Sequence, residues 1–257
     1  MTLLELLLAI SIMAMVVGTL GALARGVQEG YTYTEGHGTA TQHARVVLER
    51  ITATVREATT SPEFPGALVV SEEESGWEFP DTLVVWHPDG APADPGGLPR
   101  YNELVIYCPD PSLANRLVEM TVPGDTRPVP PPESTSQWET EIEAVKSGAR
   151  RRTMMLTDLL RTGRVEEGAL GSRRGAARFA VRLRPSQEEW QQFQDGQIDW
   201  DDLAWVQGIY GSQTGLRQAW VRIELQLMPG DQAAADSAST TPVPALGSAA
   251  LYYELAR

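Results

Sequence analysis

The first 24 residues, MTLLELLLAISIMAMVVGTLGALA, are apolar but for one ionisable side chain, Glu5. At about 1.5 Å of helix rise per residue such a segment reaches about 36 Å, enough to cross a hydrocarbon core about 30 Å thick with some tilt. The segment can span a bilayer. A carboxylate near the centre of such a helix costs about 2.5 to 3.5 kcal/mol on insertion scales and less near its end, so Glu5 implies a partner or a task.

Three plainer explanations compete. A cleavable secretory signal would account for the apolar run, and Ala22-Leu23-Ala24 has the small-x-small form of a cleavage site. Such signals open on a basic stretch, however, whereas residues 1 to 11 hold no Lys or Arg and do hold Glu5. An ordinary signal anchor fits the length and leaves Glu5 unexplained. A buried helix of a soluble protein is usually shorter than this run.

Met1-Thr2-Leu3-Leu4-Glu5-Leu6-Leu7-Leu8-Ala9-Ile10 resembles the mature amino terminus of type IV pilins and type II secretion pseudopilins, the class III signal family. The family pattern is an aromatic residue or Met, then Thr-Leu-Leu/Ile-Glu and an unbroken apolar stretch. The resemblance covers about the first 58 residues well and the remainder in outline. The family's basic leader and its terminal glycine are absent from this sequence, so Met1 is either the processed first residue or the initiator.

The resemblance implies an amine at Met1, usually methylated in this family, that pairs with Glu5 of a neighbouring subunit in a helical homopolymer. Leu3, Leu4, Leu6, Leu7, Leu8, Ile10, Ile12, Met13, Val16 and Val17 would form the membrane span and then the filament core. It also implies a set of partners: a prepilin peptidase, a membrane platform protein, an assembly ATPase and, in two-membrane cells, a secretin. The unassembled subunit would sit in the inner membrane with its head outside, and the assembled one in a cell-surface fibre. A minor, tip-located pseudopilin is the alternative role. A membrane-anchored head that binds a ligand or catalyses a reaction alone is a second.

Beyond Arg25, residues 44 to 58 place Ala44, Val47, Leu48, Ile51, Val55 and Ala58 on one helical face, with charged residues mostly elsewhere. Between the two halves, Gly18, Gly21, Gly26, Gly30, Gly36 and Gly38 form a poor helical series, each costing up to about 1 kcal/mol relative to Ala. Either this stretch is a helix poised to melt on assembly, with Gly18, Gly21 and Gly26 as its weak points, or a plain loop lies near Gly36-His37-Gly38. Pro62 and Pro65 end the helical region.

The expected division is a span at 1–28, an amphipathic continuation at 29–61 and a single head at 62–257. Strands are predicted over 66–71, 82–87, 103–108, 116–122, 177–184, 219–228 and 250–256. Alternation of Val221, Ile223, Leu225 and Leu227 with Arg222, Glu224 and Gln226 predicts a half-exposed antiparallel sheet. Helices are predicted over 135–147, 153–162 and, behind a Ser186 cap, 187–194. Loops are predicted over 87–100, 123–137 and 230–247. The fold class is α+β, a long helix covering a sheet, which is also the pilin plan.

A net charge of −13 disfavours nucleic acid as a partner. The arginine groups at 150–152 and at 173, 174 and 178 are most simply solvated, and Lys146, the single lysine, reads as compositional bias. Cys108, the single cysteine, excludes an intrachain disulfide and is expected to be buried. His37, His43 and His87 have no zinc spacing, and no nucleophile elbow, P-loop or dinucleotide fingerprint occurs, so no catalytic residue is assigned. His37 and His43 are expected to flank a helix start. Asp195, Asp199, Asp201 and Asp202 are a weak calcium candidate without the helix-loop-helix spacing; an acidic cap with Ile198 and Trp200 turned inward fits better. No other cofactor is expected.

Overall fold

The computed structural model describes residues 3–165, 173–203, 214–230 and 241–256. Helix α1, Leu3–Arg56, runs unbroken through all six glycines, so no loop lies at 36–38 and both His37 and His43 sit inside the helix. In this stretch the hydroxyls of Thr32, Thr34 and Thr41 donate to carbonyls four residues back at 2.8 to 3.0 Å. Gly36 has a packing reason as well, since a Cβ there would lie 3.1 Å from Pro229 Cβ.

The remaining elements alternate strands with two short helices. Strands β1 (Ala67–Glu74), β2 (Trp77–Trp86), β3 (Leu104–Pro109) and β4 (Leu117–Thr121) precede helix α2 (Thr135–Ser147). Strands β5 (Arg152–Thr157), β6 (Thr162–Arg164), β7 (Arg173–Gly175) and β8 (Ala177–Arg184) follow, then helix α3 (Gln187–Gln194) and the long strands β9 (Thr214–Leu227) and β10 (Val243–Ala256). Pairing is antiparallel throughout, with β1 to β5 in sequence order, β10-β9-β8 as a second sheet and β6–β7 as a ribbon. The architecture is α+β.

Two expectations fail. Residues 153–162 are not a helix but β5 and the approach to β6; pairing of β5 along β4 and burial of Leu160 outweigh a helical period that Met154, Met155, Leu159 and Leu160 also satisfy. The loop expected through 247 ends early, because β10 begins at Val243, while residues 231–240 lie outside the described residues. Gly247 lets the helix approach that strand: a Cβ there would lie 2.8 Å from Leu48 Cδ2.

The carboxyl-terminal part of α1 lies across one face of both large sheets. Ala40, Ala44, Val47, Ile51 and Val55 are buried there against Leu83, Val85, Tyr107, Phe179, Val221, Ile223 and Leu225. On the opposite face of the first sheet, α2 buries Trp138, Ile142 and Val145 against Trp86, Ile106, Val118 and Met120. Val221, Ile223, Leu225 and Leu227 point inward, as their alternation with polar residues requires.

Candidate assembly surface

From Leu3 to Thr39 the helix has no buried residue. Its apolar side chains are bare: Leu3 is 79% exposed, Met13 70% and Val17 63%, and Leu4, Leu6, Leu7, Leu8, Ile10, Ile12 and Val16 are exposed likewise. This stretch is long and apolar enough to span a membrane, and so many contiguous exposed apolar groups are not tolerated in water. Glu5 lies in the first turn of the helix; Met1 lies outside the described residues. At Gly18, Gly21 and Gly26 a Cβ would meet no heavy atom within 4 Å, so nothing in this molecule's own packing demands glycine there.

Farther along, the helix is fastened to the head by polar contacts. Arg50 donates Nε and Nη2 to the two carboxylate oxygens of Glu119 on β4, each at 2.9 Å, and the Glu119 hydrogen bond holds the guanidinium firmly protonated. The Tyr107 hydroxyl lies 2.7 Å from Thr54 Oγ1 and 3.1 Å from Glu119 Oε2, and burial raises its pKa. His43 Nδ1 meets Thr157 Oγ1 at 3.1 Å. Glu119→Ala is therefore expected to destabilise the docked helix by about 1.5 to 3 kcal/mol, as loss of a charge-assisted bond does. Hydrogen exchange of amides 40–56 would read it as faster opening.

A second polar cluster, beneath α2, escapes a sequence reading. Lys146 donates Nζ to Glu72 of β1 and, at 2.6 Å, to Thr82 Oγ1 of β2. Arg174 of β7 reaches Glu74, Glu72 and Asp81 at 2.5, 2.6 and 3.1 Å. Burial works to raise the Glu72 carboxyl, and Lys146 and Arg174 overcome it, leaving it below the ordinary value. At Asp81, burial prevails over the same cations and the pKa is raised. Lys146 is thus a structural ion-pair partner, and Arg174 is not a solvated surface residue, which corrects the expectation for that arginine. The signal was present in part: Trp138, Ile142, Val145 and Lys146 share one helical face.

The acidic stretch is an exposed cap. Ser186 Oγ accepts from Glu189 N at 3.2 Å to start α3, Asp195 ends it, and Asp199 precedes a single 3-10 turn, Trp200–Asp202. Trp200 and Leu203 turn inward onto Trp190, with Ile198 half-buried beside them, while Asp195, Asp199, Asp201 and Asp202 face outward. Among the described residues no group of three His, Cys, Asp or Glu could hold a metal ion. Cys108 is buried between the sheet and α2, and its thiol is pushed up to about 12 by burial. Tyr31, Tyr33 and Tyr252 are exposed, and Trp205 lies outside the described residues. No protein-family model, curated protein or solved structure matches this chain.

Proposed function

We propose that the chain is a structural subunit of a type IV pilus-like extracellular filament, held in the membrane by residues 3 to about 24 until it assembles. One observation carries the reading: α1 continues far beyond its head as a bare apolar rod with a lone acid in its first turn. A head that needed only a tether has no use for that acid. In a bundle of such rods, each carboxylate can meet the terminal ammonium of the next chain, and a subunit in the wrong axial register loses that contact. Apolar contact between rods adds little net drive, because lipid shields the same surface beforehand. Extraction from the membrane therefore calls for a peptidase to free the amine, a platform protein and a cytoplasmic ATPase, with a secretin where a second membrane must be crossed. Gly18, Gly21 and Gly26, free of packing duties in the single chain, are the places where the rod can melt as copies pack.

The size of the head supports a second role, that of a minor tip subunit of a secretion pseudopilus, since a single terminal copy meets no like neighbour above it. Stoichiometry separates the two: many copies per micrometre of fibre for a main subunit, about one per fibre for a tip. Electron microscopy of sheared surface material, with mass analysis of the amino-terminal peptide, tests the proposal. Fibres containing this chain with an N-methylated Met1 are expected. A chain found only as a membrane-bound monomer, with an unmodified amine, would overturn it.

A further inference from the structure

The head carries a groove of aromatic and arginine side chains, one of them Arg174 of the cluster beneath α2. It is an open depression of about 580 Å³ where the tip of the β1–β2 hairpin meets β6, β8 and β9. The hairpin turns through Ser75 and Gly76, at φ 53° and 77°, the left-handed pair that a two-residue turn demands. That turn delivers Trp77, 66% exposed, to one wall of the groove, with Phe79 beside it. Arg161, Arg164 and Arg178 line the other side. Arg161 is held by a neutral group, Gln226 Oε1 at 2.7 Å. Arg178 makes no ion pair among the described residues, and its cross-strand neighbour Glu224 is bonded to Arg222 at 2.8 Å. Among the described lining residues the carboxylates are Glu78 and Glu224, against Arg161, Arg164, Arg174 and Arg178, so the described lining holds more basic than acidic groups in a chain of net charge −13.

The complementary surface lies at the opposite end of the same sheet. Glu224, at the groove, pairs with Leu246, whereas Arg217 pairs with Tyr253 and donates to Gln187 of α3 at 2.7 Å. Seven strand residues separate the two levels, about 23 Å at the usual rise. At this level the cluster of Trp190, Trp200, Leu203 and half-buried Ile198 packs with Tyr253, and the exposed Asp195, Asp199 and Asp202 belong to the same acidic cap. The direction is fixed by α1: Gly36 packs on Pro229 and Leu48 on Gly247, while Thr60 and Leu251 both border Gly66. The groove therefore lies nearer the membrane-helix end of the head and the acidic cap nearer its far end.

We propose that the groove receives the acidic cap of a second copy of this chain, head to tail. The inference rests on the filament reading. Chains anchored in one membrane share one polarity, so basic and acidic ends can meet only by an axial step. Two different patches in contact make a heterologous interface, which propagates into a helical fibre and does not close on itself as a two-fold dimer does. Trp77 supplies apolar area for Ile198, and the arginines supply the charge that selects an acidic partner.

The test uses the full chain carrying Glu78→Cys and Asp199→Cys, both at exposed positions, in its native membrane under mild oxidation. Buried Cys108 does not interfere. A ladder of disulfide-linked dimers, trimers and higher species is expected, alongside fibres. Arg178→Glu should weaken assembly in 0.1 M salt by about tenfold, a loss of about 1.4 kcal/mol, and adding Asp199→Arg to the same chain should restore it. Fibres without a ladder, a product that stops at dimer, or failure of the charge swap to restore assembly would overturn this contact and leave the filament reading standing. A ladder without fibres would keep the contact and overturn the filament. Neither fibres nor ladder would overturn both.

Discussion

Glu5→Gln is expected to leave the chain in the membrane and reduce fibre yield by about ten- to a hundredfold. The attraction between Glu5 and a neighbour's ammonium at about 4 Å is about 4 kcal/mol at an effective dielectric near 20, and desolvation removes part of it. A net loss of about 1.4 to 2.8 kcal/mol per added subunit raises the concentration needed for growth by that factor. Insertion is spared, because an uncharged amide near the end of the apolar run is easier to place in lipid than a carboxylate. Membrane fractionation and fibre counting on the same cells read the two effects separately. Normal fibres from the variant would show that register is set elsewhere, for example by contacts between heads.

Lys146→Ala is expected to be the most damaging single change in the head, lowering stability by about 3 to 5 kcal/mol, because removing one partner leaves buried opposite charge uncompensated. Glu72 loses the cation that holds it ionised, and Arg174 alone must then face Glu72, Glu74 and Asp81. Asp81→Asn should cost little by comparison. Its carboxyl is held above the ordinary value by burial, so the ionised form is a burden at neutral pH and a neutral amide removes it. Urea unfolding of the full chain in detergent, followed by tryptophan fluorescence, should place Lys146→Ala far below the wild type and Asp81→Asn near it. Equal losses in both variants would mean that packing around α2, and not charge balance, dominates there.

Local patterns made some elements legible and long-range partners hid others. Helices α2 and α3 and strand β8 occupy the residues expected of them, because the Ser186 cap, the apolar helical face and strand alternation are written within a few neighbouring residues. Strand β5 was misread because TMMLTDLL suits a helix as well as a strand, and the free side of β4 made the choice. The start of β10 was hidden by Pro, Ala and Gly, whose small size is what α1 needs where Leu48 meets Gly247. Continuity of α1 through its glycines is hidden for the reverse reason: propensity counts each glycine, but not the docking of Ala40 to Val55 on the sheets that anchors one end of the helix. Glu5 stands out in the sequence because a charge in a lipid-length apolar run is costly. Lys146 could not, since its partner Glu72 is 74 positions away.

Burial of the one lysine in the sequence places its amine inside the ion cluster with Glu72. A succinimidyl ester applied to the folded protein is therefore expected to spare Lys146, and label taken up at that position would report opening of the sheet beneath α2.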